Sequence, residues 1–197
     1  MPKFIVLLFI LGAWSNLSLA RSNSFLATCY KLNELNQNQQ HTLKVLLKHA
    51  KSSNCEQAAI RLESMESLTL MDKGIKDIGP IGTLRNLTEL NLMNNQISDL
   101  RALRGLDQLK TLNLTENRIE NLEPISALIT LEKLWLDSNE ILDIGPVEAN
   151  VNLVLLSVND NQISTVVGLK RLWKLKHVSH WGNPIKSAYQ TYSVLSP

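Results

Sequence analysis

The sequence has too little of several residue types to support some common kinds of protein. Two cysteines among 197 residues are too few for a disulfide-rich scaffold or a four-thiolate zinc site. Eight glycines and six prolines exclude collagen-like and proline-rich low-complexity chains. Lys and Arg (20) nearly balance Asp and Glu (18), so no bulk field attracts nucleic acid or an anionic membrane. Because 44% of the residues are hydrophobic, one folded domain is expected rather than a disordered chain.

The first twenty residues have the pattern of an export signal. Lys3 precedes an uncharged apolar run over residues 4–14, and Ser18 and Ala20 stand at the −3 and −1 positions of a cleavage site. That run covers only about half of a bilayer core, which disfavours the alternative of a retained membrane anchor. We therefore predict a signal peptide over residues 1–20, no membrane insertion after its cleavage, and a secreted or periplasmic location.

Both cysteines, Cys29 and Cys55, remain in the chain after that cleavage. In an oxidising compartment, two thiols on a small domain tend to pair. Closing such a loop contributes about 3 kcal/mol in the chain-entropy model. A Cys29–Cys55 disulfide is predicted, and two separate thiols are the alternative that the sequence leaves open.

From Met65 onward the chain repeats every 22 residues without insertion or deletion. Counting Met65 as position 1, apolar residues recur at positions 1, 4, 6, 11, 14, 17 and 20, and asparagine fills position 9 in every unit after the first. Asn150 is the single polar residue in those apolar columns over five full units. Neither a helix period nor a strand alternation would keep that register, so the pattern predicts stacked coils. The units are 65–86, 87–108, 109–130, 131–152, 153–174 and a partial 175–186.

The motif L-x-x-L-x-L-x-x-N-x-I resembles that of leucine-rich repeats over residues 65–186. The 22-residue length and the form I-x-D-I-x-P-I at 75–81 are similar to the short subclass found in internalins and phosphatase-regulating repeat proteins. This resemblance implies an α/β solenoid. The expected form is a right-handed superhelix with a parallel concave β-sheet and short convex 3₁₀ or helical turns. The asparagines at position 9 are expected to stack as a ladder that bonds to the backbone of neighbouring coils.

Residues 21–64 are predicted to form a helical N-terminal cap. An amphipathic helix is expected over residues 42–50, and a second from Cys55 to about Leu62 with Asn54 as its N-cap. The arrangement resembles the N-terminal cap of secreted bacterial leucine-rich repeat proteins. Residues 187–197 are predicted to be a C-terminal tail that protects the last strand less well than the cap protects the first.

The sequence shows no catalytic or metal-binding constellation. His177 and His180 are predicted to point to opposite faces of one strand. The other two histidines, His41 and His49, are eight residues apart on or near one helix, too far for joint ligation. No nucleophile-elbow, zinc-protease or phosphate-loop motif occurs. We expect a non-enzymatic protein with no cofactor and no metal site.

The residues between the inward-facing leucines should point outward and pave the concave face. Packing demands nothing of these positions, so a tryptophan among them suggests an interface anchor. The predicted protein-binding site comprises Trp135, Lys133, Asp137, Asn113, Asn91, Met93, Leu155, Ser157 and Asn159. The open alternative is that Trp135 lies flat across its neighbours and binds nothing. Trp181 is interpreted as part of a terminal cover, and Trp173 as convex packing.

These observations predict an exported, non-catalytic protein-binding module that recognises an unidentified protein ligand through the concave face. Binding of nucleic acid is not expected. The alternative is a structural or self-associating cell-envelope protein that associates with itself through its C-terminal edge.

Overall fold

The computed structural model describes residues 24–185. The predicted signal peptide and the predicted tail at 187–197 lie outside the described residues. The described chain begins with three helices: α1 Phe25–Tyr30, α2 Gln37–His49 and α3 Cys55–Glu63, with a 3₁₀ turn at Leu32–Glu34 between the first two. No helix within residues 24–185 is long and apolar enough to cross a membrane.

Asparagine caps set where the two longer helices begin. The Asn54 side chain accepts a hydrogen bond from the Gln57 amide, as predicted for the start of α3. Helix α2 is longer than the predicted segment 42–50 and begins at Gln37. The Asn36 side chain accepts from the Gln39 amide while the Gln39 side chain accepts from the Asn36 amide, which is a capping box. The first turn of α2 carries no apolar residue, so hydrophobic periodicity does not reveal it.

The two cysteines are bonded to each other, as predicted. The Cys29–Cys55 disulfide joins α1 to the first residue of α3, with 5.8 Å between the Cα atoms. Beside it, the Tyr30 hydroxyl donates to the Glu56 carboxylate. That hydrogen bond raises the pKa of Tyr30 and lowers the pKa of Glu56. The short helix α1, which the sequence analysis does not predict, is thereby held on α3.

Within residues 24–185, six short parallel strands form one open sheet in the order β1-β2-β3-β4-β5-β6. Each strand pairs with the next in steps of 22 residues, so Leu68, Leu90 and Leu112 are successive partners. A 3₁₀ helix on the opposite side of each coil connects one strand to the next. The strands are Ser67–Thr69, Glu89–Asn91, Thr111–Asn113, Lys133–Trp135, Leu155–Ser157 and His177–Ser179. The 3₁₀ helices are Ile81–Thr83, Arg101–Gly105, Glu123–Ala127, Gly145–Ala149 and Val167–Arg171. The predicted α/β solenoid is confirmed.

One continuous hydrophobic core runs through the coils and into the cap. The repeated apolar columns are buried, and Phe25, Leu43, Leu46 and Leu62 of the cap helices belong to the same cluster. A single coil could not close its own apolar face, so each depends on its neighbours and the first depends on the cap.

The asparagines at position 9 form the predicted ladder. Asn95 donates through Nδ2 to the carbonyl oxygens of Leu70 (2.9 Å) and Leu92 (2.8 Å), and its Oδ1 accepts from the Ile75 amide (3.0 Å). Asn117, Asn139, Asn161 and Asn183 bond in the same way. Each side chain therefore satisfies backbone groups of two adjacent coils at the point where the chain turns away from the strand.

Candidate functional site

Trp135 lies at the end of β4, near the middle of the concave face. Its strand register places Asn113 on one side and Ser157 on the other. Its side chain is half-buried. The tryptophan separates two hollows in the sheet surface, both open to solvent, and it contributes to the wall of each.

The first hollow covers the N-terminal half of the sheet and has a volume of about 280 Å³. Asn91, Asn113 and Trp135 of the predicted site line it. Most outward-facing side chains on β1 to β3 are smaller than the Trp135 indole on β4. This difference in height leaves a depression beside the indole. The other lining residues are Ser67, Leu68, Thr69, Glu89, Leu90 and Thr111.

The second hollow lies over β4 to β6 and has a volume of about 330 Å³. Leu155 and Ser157 of the predicted site line it together with Trp135. Lys176 and His177 also line the second hollow. Glu89 is the only ionisable residue that lines the first hollow. The predicted site does not include these three residues, although Glu89 and His177 occupy position 3 of the repeat, the same position as the predicted Lys133.

Three predicted site residues bond mainly to one another. Asp137 Oδ1 accepts from Ser157 Oγ at 2.6 Å and from the Asn159 amide at 2.8 Å. Asn159 donates through Nδ2 to Ser157 Oγ at 3.0 Å and accepts at Oδ1 from Ser179 Oγ at 2.7 Å. Asn159 Oδ1 also accepts from the Trp181 amide. This network ties β4, β5 and β6 together beside Trp135, so these side chains hold the shape of the second hollow.

On the other side of Trp135, the outward-facing asparagines of β2 and β3 bond within their own coils. Asn91 Oδ1 accepts from the Met93 amide at 3.1 Å, and Asn113 Oδ1 accepts from the Thr115 amide at 2.9 Å. A tryptophan cannot accept such a bond. The Asp137 network therefore begins at the coil in which Trp135 replaces the asparagine.

The structure brings five of the nine predicted residues into the walls of the two hollows. Met93, Lys133, Asp137 and Asn159 line neither hollow, although Lys133 is exposed on β4.

Of the other two tryptophans in the repeats, Trp173 differs from its predicted role. Trp173 was predicted to pack on the convex side, but 77% of its surface is exposed. Its position follows the buried column at position 20, and the turn there directs the side chain outward. Trp181, interpreted as part of a terminal cover, is 66% exposed within the described chain, and the tail that would complete that cover lies outside the described residues.

A third, more polar hollow of about 720 Å³ lies where helix α2 meets the loops of the first coils. Two of its charged residues, Asp99 and Arg101, form an ion pair. The Arg101 guanidinium donates to the Asp99 carboxylate at 2.5 Å, which lowers the pKa of Asp99 and raises that of Arg101. Among residues 24–185, no three His, Cys, Asp or Glu side chains come together in a way that could hold a metal ion.

Comparison with known proteins identifies the coils. A family model described as leucine-rich repeats (2 copies) matches residues 63–105 and 107–149. Those matches fall on the units whose strands and asparagine ladder are described above. This chain is a leucine-rich repeat protein. A search of curated proteins gives no match.

Solved structures of bacterial leucine-rich repeat proteins share the fold. The internalin InlF of Listeria monocytogenes is 30% identical with a TM-score of 0.64, and the match covers 67% of this chain and 39% of that one. Internalin C2 of the same organism is 26% identical with a TM-score of 0.57 and 77% of both chains covered. A leucine-rich repeat protein of Leptospira interrogans is 26% identical with a TM-score of 0.63, covering 70% of this chain and 36% of that one. The leucine-rich repeat chain described here therefore spans well under half of two of these proteins.

Proposed function

We propose that this leucine-rich repeat protein is an exported, non-catalytic module that binds a protein partner through its concave face. The observation that carries the proposal is Trp135, a large aromatic that the core does not require, standing between two open hollows. Leucine-rich repeat proteins are generally interaction modules, which agrees with this reading but names no partner.

The geometry fits a polypeptide better than a small molecule. Both hollows are open and shallow, whereas pockets that bind small molecules enclose most of the ligand. A partner segment that crosses Trp135 can place one side chain in each hollow and pack an apolar group on the indole. The Asp137 network adds pre-organisation, because the strands beside the tryptophan are already fixed to one another.

Export is the cellular part of the proposal. The signal-peptide pattern at residues 1–20 supports it, and so does a disulfide, which persists in oxidising compartments. In the same proposal residues 21–64 are the cap, 65–186 the repeats and 187–197 the tail, and the location is secreted or periplasmic.

Site-specific photo-crosslinking tests the proposal. A photoreactive phenylalanine analogue is introduced at Trp135 in the full chain and irradiated in the producing cells. Leu142 is the matched control site, because it is an exposed apolar residue that lines neither hollow. We expect one discrete crosslinked protein from position 135 and none of that size from position 142. Equal crosslinking from both sites, or none from 135, contradicts a concave binding face.

A second candidate is self-association through the C-terminal edge. Strand β6 pairs with β5 and with no later strand in the part of the chain that the structure describes, and Trp181 beside it is exposed. Crosslinks to a second copy of the chain from the same analogue placed at Trp181, with no discrete foreign protein from position 135, would favour this candidate over a foreign partner.

A further inference from the structure

Position 21 of the repeat lies in the turn between each convex 3₁₀ helix and the next strand. In the first two units it is charged, as Arg85 and Asp107. In the next three it is apolar, as Ile129, Val151 and Trp173, and these side chains are 59%, 43% and 77% exposed. Core packing does not account for this change. We call Ile129, Val151 and Trp173 the position-21 stripe.

Hydrogen bonds hold the position-21 stripe in register. Asn152 donates through Nδ2 to the Ile129 carbonyl oxygen at 2.9 Å, and Lys174 Nζ donates to Asn152 Oδ1 at 2.7 Å. The Lys174 ammonium also lies 5.0 Å from the ring centroid of Trp173. The Trp173 indole therefore has a contact within its own chain that orients it before any partner binds, which reduces the entropy lost on association.

A second column runs alongside the stripe at position 2, three residues further along the chain. It contains Glu132, Val154 and Lys176. The Val154 amide donates to the Glu132 carbonyl at 2.8 Å, and the Lys176 amide donates to the Val154 carbonyl at 2.9 Å. Glu132 and Lys176 are exposed, so opposite charges stand one coil to either side of a valine.

We propose that these two columns form an interface between two copies of this chain. The copies are related by a twofold axis that runs perpendicular to the columns, level with Val151 and Val154. That rotation reverses the order of the coils. It therefore places the Trp173 side chain against Ile129 of the second copy and each Val151 against its counterpart.

The charge order is what favours a second copy over an unrelated protein. The same rotation sets Glu132 of each copy opposite Lys176 of the other, so both ends of the interface carry an attractive pair. The smallest side chains, Val151 and Val154, lie on the axis, where two copies approach most closely. A shift by one coil would lose both charge pairs.

The size of the surface fits a modest dimer. The exposed area of the stripe is on the order of 300 Å², which is the scale of apolar patches that mark interaction sites on monomers. Two copies of the stripe together bury about 600 Å², which is less than stable specific interfaces bury, so the expected dimer is weak and forms at high concentration. The stripe residues line neither concave hollow, whereas Lys176 of the second column also lines the second hollow. A dimer of this kind therefore borders the second hollow at Lys176 and leaves Trp135 and the first hollow open.

Sedimentation velocity of the purified full chain over a concentration series tests the proposal. We expect a concentration-dependent dimer. Val151→Asp should weaken it about thirty-fold or more, because a charge at the axis meets its own counterpart in an apolar contact. The second unit already carries Asp107 at this position, so the repeat accommodates the residue. Leu142→Asp, a change at an exposed leucine outside both columns, should leave dimerisation unchanged.

A charge exchange tests the twofold pairing and does not depend on Val151. Glu132→Lys and Lys176→Glu should each weaken the dimer about tenfold at low salt, and the double variant should restore it. Both positions are exposed, so folding is not at risk. A chain that is monomeric at all concentrations overturns the proposal. A dimer indifferent to Val151→Asp, or a double variant no better than the single ones, overturns it as well.

Discussion

Asn150 occupies a position that is leucine in the other four complete units, and it is fully buried. Its Nδ2 donates to the carbonyl oxygens of Ile125 (3.0 Å) and Leu128 (2.8 Å), whereas its Oδ1 has no hydrogen-bond partner among the described residues. Where Leu128 fills this position, the equivalent carbonyls are those of Leu103 and Leu106 in the preceding coil, and each accepts a hydrogen bond from a backbone amide. The same turn therefore forms in other coils without hydrogen bonds like those of the Asn150 side chain.

Replacing this side chain with leucine should therefore stabilise the protein. We expect Asn150→Leu to raise the free energy of unfolding by about 1–2 kcal/mol, because it removes an unsatisfied buried oxygen and restores the apolar column. Chemical denaturation monitored by circular dichroism measures the change. Leu106→Asn, the opposite change one unit from the cap, should lower stability. A loss of stability in Asn150→Leu would show that its two hydrogen bonds matter more than the orphaned oxygen.

Single residues also show where prediction from the sequence stops. The asparagine ladder was predictable, because one residue type recurs at one register position and its amide must bond the backbone there. The hydrogen bonds of Asp137, Ser157 and Asn159 were not predictable. They arise because Trp135 stands where the two preceding strands carry an asparagine, and side chains of its own coil and the next one bond to each other instead. Their role in binding stays a prediction.

Among the structural elements, the turn after each strand has the most demanding backbone. Position 8 is in the left-handed region in every coil: Asp72, Asn94, Glu116, Ser138, Asp160 and Gly182 have φ between 50° and 75°. Only glycine takes this conformation without cost, and asparagine takes it more readily than glutamate does. The sequence columns did not reveal this constraint, because residues of five types occupy the position.

Relief of this strain is testable at Glu116. We expect Glu116→Asn, which copies the residue at Asn94 one coil earlier, to raise the free energy of unfolding by about 0.5–1 kcal/mol. The measurement is again equilibrium denaturation. Glu120→Asn, at an exposed position of the same coil without a positive φ, is the control and should change stability little. Equal effects of the two substitutions would contradict the backbone explanation.

The cap helices illustrate a different limit. Helix α3 was predicted because Asn54 and an apolar face both mark it, whereas α1 and the first turn of α2 carry no long periodic pattern. Helix α1 has six residues, and its place is fixed by tertiary packing of Phe25 and by the disulfide.

For the molecule as a whole, the cap and coils share one core, so the disulfide acts on the entire solenoid. We expect Cys29→Ala/Cys55→Ala to lower the free energy of unfolding by about 3 kcal/mol, because the unfolded chain loses a closed loop. Thermal and chemical unfolding with and without reductant measure it. Reductant should destabilise the wild type to the same extent and leave the double variant unchanged. A wild type insensitive to reductant would contradict a structural role for the bond.

For the whole molecule, the fold was predictable from the sequence, whereas the exposed surfaces were predictable only in part. Thirty-four apolar residues in seven register columns determine the sheet and the coil spacing, because each must be buried. Exposed positions carry no such constraint. The sequence therefore pointed to Trp135 on the concave face, but it did not distinguish the exposed Trp173 from a packed one.

The central claim is that Trp135 serves binding and not folding, and paired measurements on Trp135→Ala test it most directly. Isothermal titration against the protein captured from position 135 gives the affinity, and thermal unfolding of the same samples gives the stability. We expect a loss of 2 kcal/mol or more in binding free energy, at least about thirty-fold in Kd, with stability nearly unchanged. Unchanged affinity, or a loss of binding that only accompanies unfolding, would contradict the account.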